Sequence, residues 1–141
     1  MKDQDLRQAM LVLESYREQL DIMRQQITLV QSSLEESVRA RETINKFKDA
    51  KEGDEIFVPI GASVFVPAKV TGKKQAIVGV GNRISVEKEL QDTEDYMNSL
   101  VVELQESLKK INKAYYEIQT AAENLTETVN AEYSARQQQQ V

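Results

Sequence analysis

The central stretch of the chain reads EIFVPIGASVFVPAKV over residues 55–70 and QAIVGVGNRISV over residues 75–86. It contains four short runs rich in β-branched and aromatic residues, which are typical of β-strands. The runs are separated by Gly61-Ala62, Thr71-Gly72-Lys73-Lys74 and Gly81-Asn82, and such glycine-containing segments indicate turns. The stretch therefore predicts four short strands or two β-hairpins.

A patch of four such strands cannot cover itself, because it is small and apolar on both faces. Pro59 and Pro67 each remove a ladder donor, so we expect them at edges or strand ends. Unpaired edges and apolar faces favour contact with other copies or related chains. We therefore predict an assembly platform, with these side chains buried in sheet packing and between subunits: Ile56, Val58, Phe65, Val66, Ile77, Val78 and Val80.

Glycine and proline occur only in this central part of the chain. All five glycines and both prolines lie between residues 53 and 81. Because these residue types disrupt helices most strongly, we predict two long helical arms around the strands. We assign the chain to a single domain with four parts: a first helix over 1–52, strands over 53–86, a second helix over 87–136 and a frayed tail over 137–141.

Both arms carry a seven-residue apolar repeat, which is typical of a coiled coil. The first arm repeats Leu6, Leu13, Leu20, Ile27 and Leu34 in one row, and Ala9, Tyr16, Met23 and Val30 in the other. The second arm repeats Val101, Leu108, Tyr115, Ala122 and Val129 in one row, and Met97, Leu104, Ile111, Ile118 and Leu125 in the other. A lone helix cannot bury such a stripe, so we predict that the two arms pair antiparallel.

The pairing register follows from where the arms leave the strands. If they leave near Lys46 and Lys88, antiparallel pairing places Leu6 opposite Thr128 to within a few residues. Residues beyond about 130 then overhang, and Tyr133 lacks a continuous opposing seam.

Three adjacent apolar residues, Met10, Leu11 and Val12, lie near the same end of the first arm. They cannot all face one partner helix. Either Met10 and Val12 widen the seam and Leu11 is an ordinary exposed leucine, or the three form a mobile apolar tip that binds unfolded chains. Methionine suits the second role because its unbranched side chain adapts to varied surfaces.

Composition excludes several classes of function. The 141 residues contain no Cys and no His, which rules out zinc fingers, cysteine nucleophiles and Ser-His-Asp triads. The net charge of −5 argues against a nucleic-acid partner. No apolar run predicts a signal peptide or a membrane span. We therefore expect a soluble intracellular protein that is not an enzyme and needs no metal or cofactor.

The layout resembles an alpha-class prefoldin subunit of the archaeal type. Residues 58–67, VPIGASVFVP, are similar to the first hairpin of that class, and residues 76–81, AIVGVG, are similar to its second hairpin. Two glycine-free heptad arms flank them, so the resemblance covers nearly the whole chain. The beta class has one hairpin in a shorter linker, which the 55–86 segment exceeds.

The resemblance implies a mainly α fold with a small β part, in which a long antiparallel coiled-coil hairpin is joined by two β-hairpins that build an oligomeric β-barrel platform. It also implies a cytoplasmic, ATP-independent holdase of two alpha and four prefoldin beta subunits. Its coiled-coil tips would capture non-native client proteins and deliver them to a group II chaperonin. The expected client-binding residues are Leu6, Met10, Leu11, Val12, Leu125, Val129 and Tyr133.

A second interpretation stays open. A filament-forming, gamma-type relative shares the layout, so the chain is alternatively a structural coiled-coil assembly protein. The tip distinguishes the two interpretations, because a client-binding holdase needs exposed apolar groups there and a structural filament protein does not.

Overall fold

The structure, a computed structural model, describes residues 1–140 and consists of two long helices with four strands between them. The elements are α1 (Asp3–Phe47), β1 (Glu55–Gly61), β2 (Val64–Lys69), β3 (Gln75–Gly79), β4 (Ser85–Glu89) and α2 (Leu90–Gln139). The predicted mainly α fold with two β-hairpins is confirmed. The chain, which the sequence assigns to one domain, divides into two compact units.

The first unit, here called the helix-pair unit, contains Met1–Ser33 and the chain from Leu104 onwards. Its buried residues are Leu6, Leu13, Ala122 and Val129, all of which belong to the predicted heptad rows. The helices run antiparallel, since Arg136 near the end of α2 contacts Asp3 at the start of α1. Arg24 in α1 likewise donates to the Tyr115 hydroxyl in α2 at 3.0 Å.

The second unit, here called the hairpin unit, contains Leu34–Glu103 and all four strands. β1 pairs antiparallel with β2, and β3 pairs antiparallel with β4, as two separate two-stranded sheets. Every strand is therefore an edge strand. Pro59 and Pro67 are tolerated within β1 and β2 for this reason, because an edge strand leaves one row of backbone groups unpaired.

Both hairpins turn through two residues with positive φ. Ala62 and Ser63 have φ of 49° and 59°, and Asn82 and Arg83 have φ of 50° and 60°. This pair of left-handed residues characterises the type I′ turn, whose twist matches that of the flanking strands. The turns therefore favour the two-hairpin alternative that the sequence left open.

Lysine side chains connect the strands to the helix ends in the hairpin unit. Lys74, just before β3, donates through Nζ to the backbone oxygen of Lys48 at 3.2 Å and to that of Ala50. Lys48 forms an ion pair with Glu94 and donates to Gln91 Oε1 at 3.2 Å. The end of α1 and the start of α2 are thus held at the base of the second hairpin.

The element boundaries differ from those expected from the sequence. α1 ends at Phe47 rather than at residue 52, because the following residues bond to Val70, the residue directly after β2: Gly53 N donates to Val70 O at 2.8 Å, and Val70 N donates to Asp54 O at 2.9 Å. β4 extends to Glu89, so α2 begins three residues later than expected.

The C-terminal end of α2 also differs from the expectation of a frayed tail over 137–141. The helix continues through Gln139, since glutamine is a good helix former and Arg136 ties the last turns to α1. The last residue of that predicted tail, Val141, lies outside the described residues.

Candidate functional site

The start of α1 and the last turns of α2 are joined by a cluster of charged groups, here called the tip clasp. Arg136 donates through Nε to Glu132 Oε1 at 3.0 Å, and its guanidinium also contacts Asp3 Oδ1 and the backbone oxygen of Met1. The hydrogen bond from Arg136 lowers the pKa of the Glu132 carboxyl, and the bonds to Glu132 and Asp3 raise the pKa of Arg136. The clasp therefore joins the first turn of α1 to the last turns of α2.

The overhang predicted at this end, beyond about residue 130, is wrong. Leu6 was expected opposite roughly Thr128, with an overhang beyond 130, but Arg136 contacts Asp3 and the Tyr133 hydroxyl lies 3.3 Å from Met10 Sδ. Part of the difference arises because the second arm begins later than expected: Lys88 lies in β4, and α2 starts only at Leu90. Tyr133 consequently has α1 beside it.

The predicted client-binding residues divide into an exposed and a buried set. Met10, Leu11, Val12 and Tyr133 are 45%, 66%, 39% and 43% exposed. Leu6 and Val129 are buried in the seam, and Leu125 is half-buried. The tip therefore presents four large apolar side chains to solvent beside a buried seam.

Two grooves border the seam near the tip. One, here called the Met10 groove, has a volume of about 690 Å³ and is lined by apolar side chains that include Met10, Leu11, Leu13 and Val129. The other, here called the Val12 groove, has a volume of about 560 Å³ and is lined by Val12, Ala9, Tyr16 and Leu125 among others. Met10 and Val12, two residues apart, thus face different grooves, as the helical period requires.

Most of the predicted assembly residues are exposed in the single chain. Val78 is buried and Ile56 is half-buried, whereas five are at least 40% exposed: Val58, Phe65, Val66, Ile77 and Val80. Packing within the two small sheets therefore covers little of this set. The burial predicted for it would have to come from other subunits.

Sequence reasoning missed further exposed apolar side chains in both units. The hairpin unit adds Phe57, Ile60, Val64, Ile84 and Val86, and the helices add Ile22, Leu29, Val102 and Tyr116. The hairpin residues could have been found, because their strands lack the polar alternation of a sheet with one solvated face. The helix residues could also have been found, since they lie outside the heptad rows.

No helix in the described part of the chain, residues 1–140, combines the length and the apolar character needed to cross a membrane.

Comparisons with known proteins agree on the family. The family model for prefoldin subunits matches residues 16–135. Prefoldin subunit alpha 1 of Methanocaldococcus jannaschii is 31% identical over 128 residues, which cover 91% of this chain and 82% of the relative. Prefoldin subunit alpha of Methanoculleus marisnigri is 25% identical over 130 residues, which cover 92% of this chain and 87% of the relative.

Solved structures show the same fold. A chain of filamentous prefoldin from Methanocaldococcus jannaschii, studied by cryo-EM, matches with a TM-score of 0.66 and 23% identity, over 82% of this chain and 95% of that chain. The prefoldin beta subunit of Thermococcus strain KS-1 matches with a TM-score of 0.60 and 16% identity, over 90% of each chain. From its sequence and its fold, this chain belongs to the prefoldin family of chaperone subunits.

Proposed function

We propose that this chain is an alpha-type subunit of an ATP-independent holdase, and that it captures non-native proteins at the tip of its helix pair. The observation that carries the proposal is the exposure of Met10, Leu11, Val12 and Tyr133 beside the seam. Burial of apolar surface contributes roughly 25 cal/mol per Å², so such side chains favour contact with exposed apolar segments of a client. Leu6, Leu125 and Val129 support these four residues from the seam.

The proposed assembly combines two chains of this kind with four beta-type subunits. Its support is the exposed apolar surface of the hairpin unit, where each of the four strands also has an unpaired edge. A single chain that exposes such edges favours pairing with neighbouring subunits. The assembled protein would work in the cytoplasm and deliver its clients to a group II chaperonin.

The decisive experiment replaces Met10, Leu11 and Tyr133 together with serine. A matched control replaces Ile22, Leu29 and Tyr116 with serine, because these residues are 56%, 69% and 68% exposed in the same unit but lie outside the tip residues. Each protein, alone and with a beta-type partner, is tested by light scattering for suppression of the aggregation of a denatured client without ATP. Three positions are changed at once because several tips that act together can mask a single weak site.

We expect the tip variant to keep its circular dichroism and its oligomer mass while it loses most of the suppression. The control variant should suppress aggregation as the unmodified protein does. Undiminished capture by the tip variant, in an intact oligomer, would contradict the proposed site. If the unmodified protein suppresses nothing at several-fold excess in either mixture, the holdase proposal fails and the structural, filament-type alternative is favoured.

A further inference from the structure

We propose that the Met10 groove selects client segments in which a short apolar core is flanked by acidic residues. This inference rests on the proposed function, because it concerns which clients the same tip prefers. The proposed occupant of the groove is a peptide with carboxylates on both sides of its apolar residues.

The apolar part of the groove comes from both helices. Leu13 and Val129 are buried and form its floor, while Met10 and Leu11 stand exposed at its rim. The Tyr133 hydroxyl lies 3.3 Å from Met10 Sδ. A floor of this composition favours aliphatic or aromatic side chains of an occupant.

The charges of the groove are unequal. Arg7 and Arg17 both line it, and Glu14 is its single acidic lining residue, so two positive groups face one negative group. Within residues 1–140, neither arginine lies within ion-pair distance of a carboxylate, in contrast to Arg24 and Arg136. Arg7 and Arg17 are also exposed. Their guanidinium groups are therefore free to pair with carboxylates of an occupant, which they match in geometry.

The Val12 groove on the other side of the seam differs in charge. Asp5 is its charged lining residue, and no Lys or Arg lines it. Both grooves are lined by apolar residues, so the hydrophobic effect alone does not favour one groove over the other. The charges of the two grooves differ, and this difference favours binding of acidic flanking residues at the Met10 groove.

The spacing of the two arginines sets the length of the preferred segment. Arg7 and Arg17 are ten residues apart on α1, which corresponds to about 15 Å at 1.5 Å per residue. An extended peptide rises about 3.3 Å per residue, so roughly four or five residues span that distance. Four apolar residues between acidic flanks would place a carboxylate near each guanidinium.

The test compares two fluorescent peptides with the same four apolar residues, one flanked on each side by Asp-Asp and the other by Lys-Lys. Their binding to the full-length protein is measured by fluorescence anisotropy at low and at high salt. At low salt we expect the acidic peptide to bind about three- to tenfold more tightly. This preference should shrink as salt rises, because the arginines are exposed.

Two charge-reversal variants then test whether Arg7 and Arg17 cause the preference for the acidic peptide. R7E with R17E should abolish or reverse it, whereas K109E with K113E should leave it unchanged. The control makes the same change of charge at two exposed lysines of α2 that do not line the groove. Circular dichroism verifies that each variant keeps its helices, and the comparison of peptides in the unmodified protein requires no variant.

Equal binding of both peptides to the unmodified protein would overturn the inference, as would a preference that survives R7E with R17E. Either result leaves the proposed function standing, because apolar capture at the tip would persist. If neither peptide binds, the inference fails as well. The light-scattering assay with the Met10, Leu11 and Tyr133 replacements then decides separately whether the proposed function also fails.

Discussion

Arg136 is the residue on which the tip clasp depends. Its guanidinium contacts Asp3, Glu132 and the backbone oxygen of Met1, and so it links two parts of the chain that are more than 130 residues apart. Because Arg136 lowers the pKa of Glu132, the ionised carboxyl of Glu132 favours the folded tip. The contribution of Glu132 is present at neutral pH and requires its ionised carboxylate, while Asp3 supplies a second carboxylate to the same guanidinium.

We predict that the tip opens in acid. The pKa of Glu132 is lower in the folded state than its ordinary value of 4.5, so the stabilisation is present above pH 4.5 and is lost as the pH falls through the folded-state pKa. Hydrogen-exchange protection of amides near Asp3 and Arg136 should fall over that range. In R136Q this protection should already be low at neutral pH, whereas R24Q, which removes a contact with Asp21 and Tyr115, should leave the tip unchanged. Equal tip protection in R136Q and the unmodified protein would contradict the prediction.

The sequence predicts the apolar residues of the tip but not its clasp. Met10, Leu11 and Val12 are consecutive, and consecutive helical residues point in directions 100° apart, so some exposure follows from the sequence alone. The clasp depends on which residues of α1 and α2 are opposite one another. The predicted overhang, which left Tyr133 without a partner, concealed the contacts of Arg136 for the same reason.

Among the secondary-structure elements, the helices and strands are predictable from local patterns, whereas the end of α1 is not. Residues 48–52 read KDAKE and contain mostly good helix formers, so nothing local stops the helix. The chain instead leaves the helix because Gly53 and Asp54 bond to Val70. Contacts with a residue that lies directly after β2, some 16 residues later in the sequence, thus override a local preference.

We predict that Lys74 stabilises the end of α1. Its Nζ donates to the backbone oxygens of Lys48 and Ala50, two carbonyl groups in the segment that directly follows α1. A positive charge at this position also interacts favourably with the C-terminal end of the helix. Lys74→Met should lower the free energy of unfolding by roughly 1 kcal/mol, the usual contribution of such a hydrogen bond. Urea denaturation followed by circular dichroism would measure the change.

Lys73→Met is the matched control for this prediction. Lys73 is the preceding residue, is exposed, and forms no hydrogen bond or ion pair with any other residue of the described range 1–140. The control should therefore unfold at the same urea concentration as the unmodified protein. A loss of stability as large in Lys73→Met as in Lys74→Met would assign the effect to net charge rather than to the hydrogen bonds.

Taken as a whole, the molecule buries its helix seam and leaves its hairpins uncovered. Leu6, Leu13 and Val129 are buried by the chain itself, but Phe65 is 58% exposed and Ile77 is 74% exposed. The sequence predicts the seam because its partner lies on the same chain at a tethered position. The sequence also predicts the apolar residues of the hairpins. We propose that other subunits cover them, and the surfaces of those subunits are not contained in this sequence.

The role of the hairpins in assembly is tested by Phe65→Ala. Since the ring is more than half exposed in the chain, its removal should cost the single chain little. If a neighbouring subunit covers the ring completely, the cost to the assembly is about 3–5 kcal/mol. We therefore expect loss of the oligomer with retention of the helices, measured by sedimentation velocity and circular dichroism on the chain mixed with its proposed beta-type partner.

Tyr116→Ala supplies the comparison for that experiment. Tyr116 is an aromatic residue of similar exposure, 68%, but it lies on α2 in the helix-pair unit rather than on a hairpin. Its removal should leave the oligomer mass unchanged, because we place the subunit contacts on the strands. An oligomer that is intact in Phe65→Ala would show that this ring lies outside the assembly contacts. Dissociation of the oligomer in Tyr116→Ala would instead move part of those contacts to the helices.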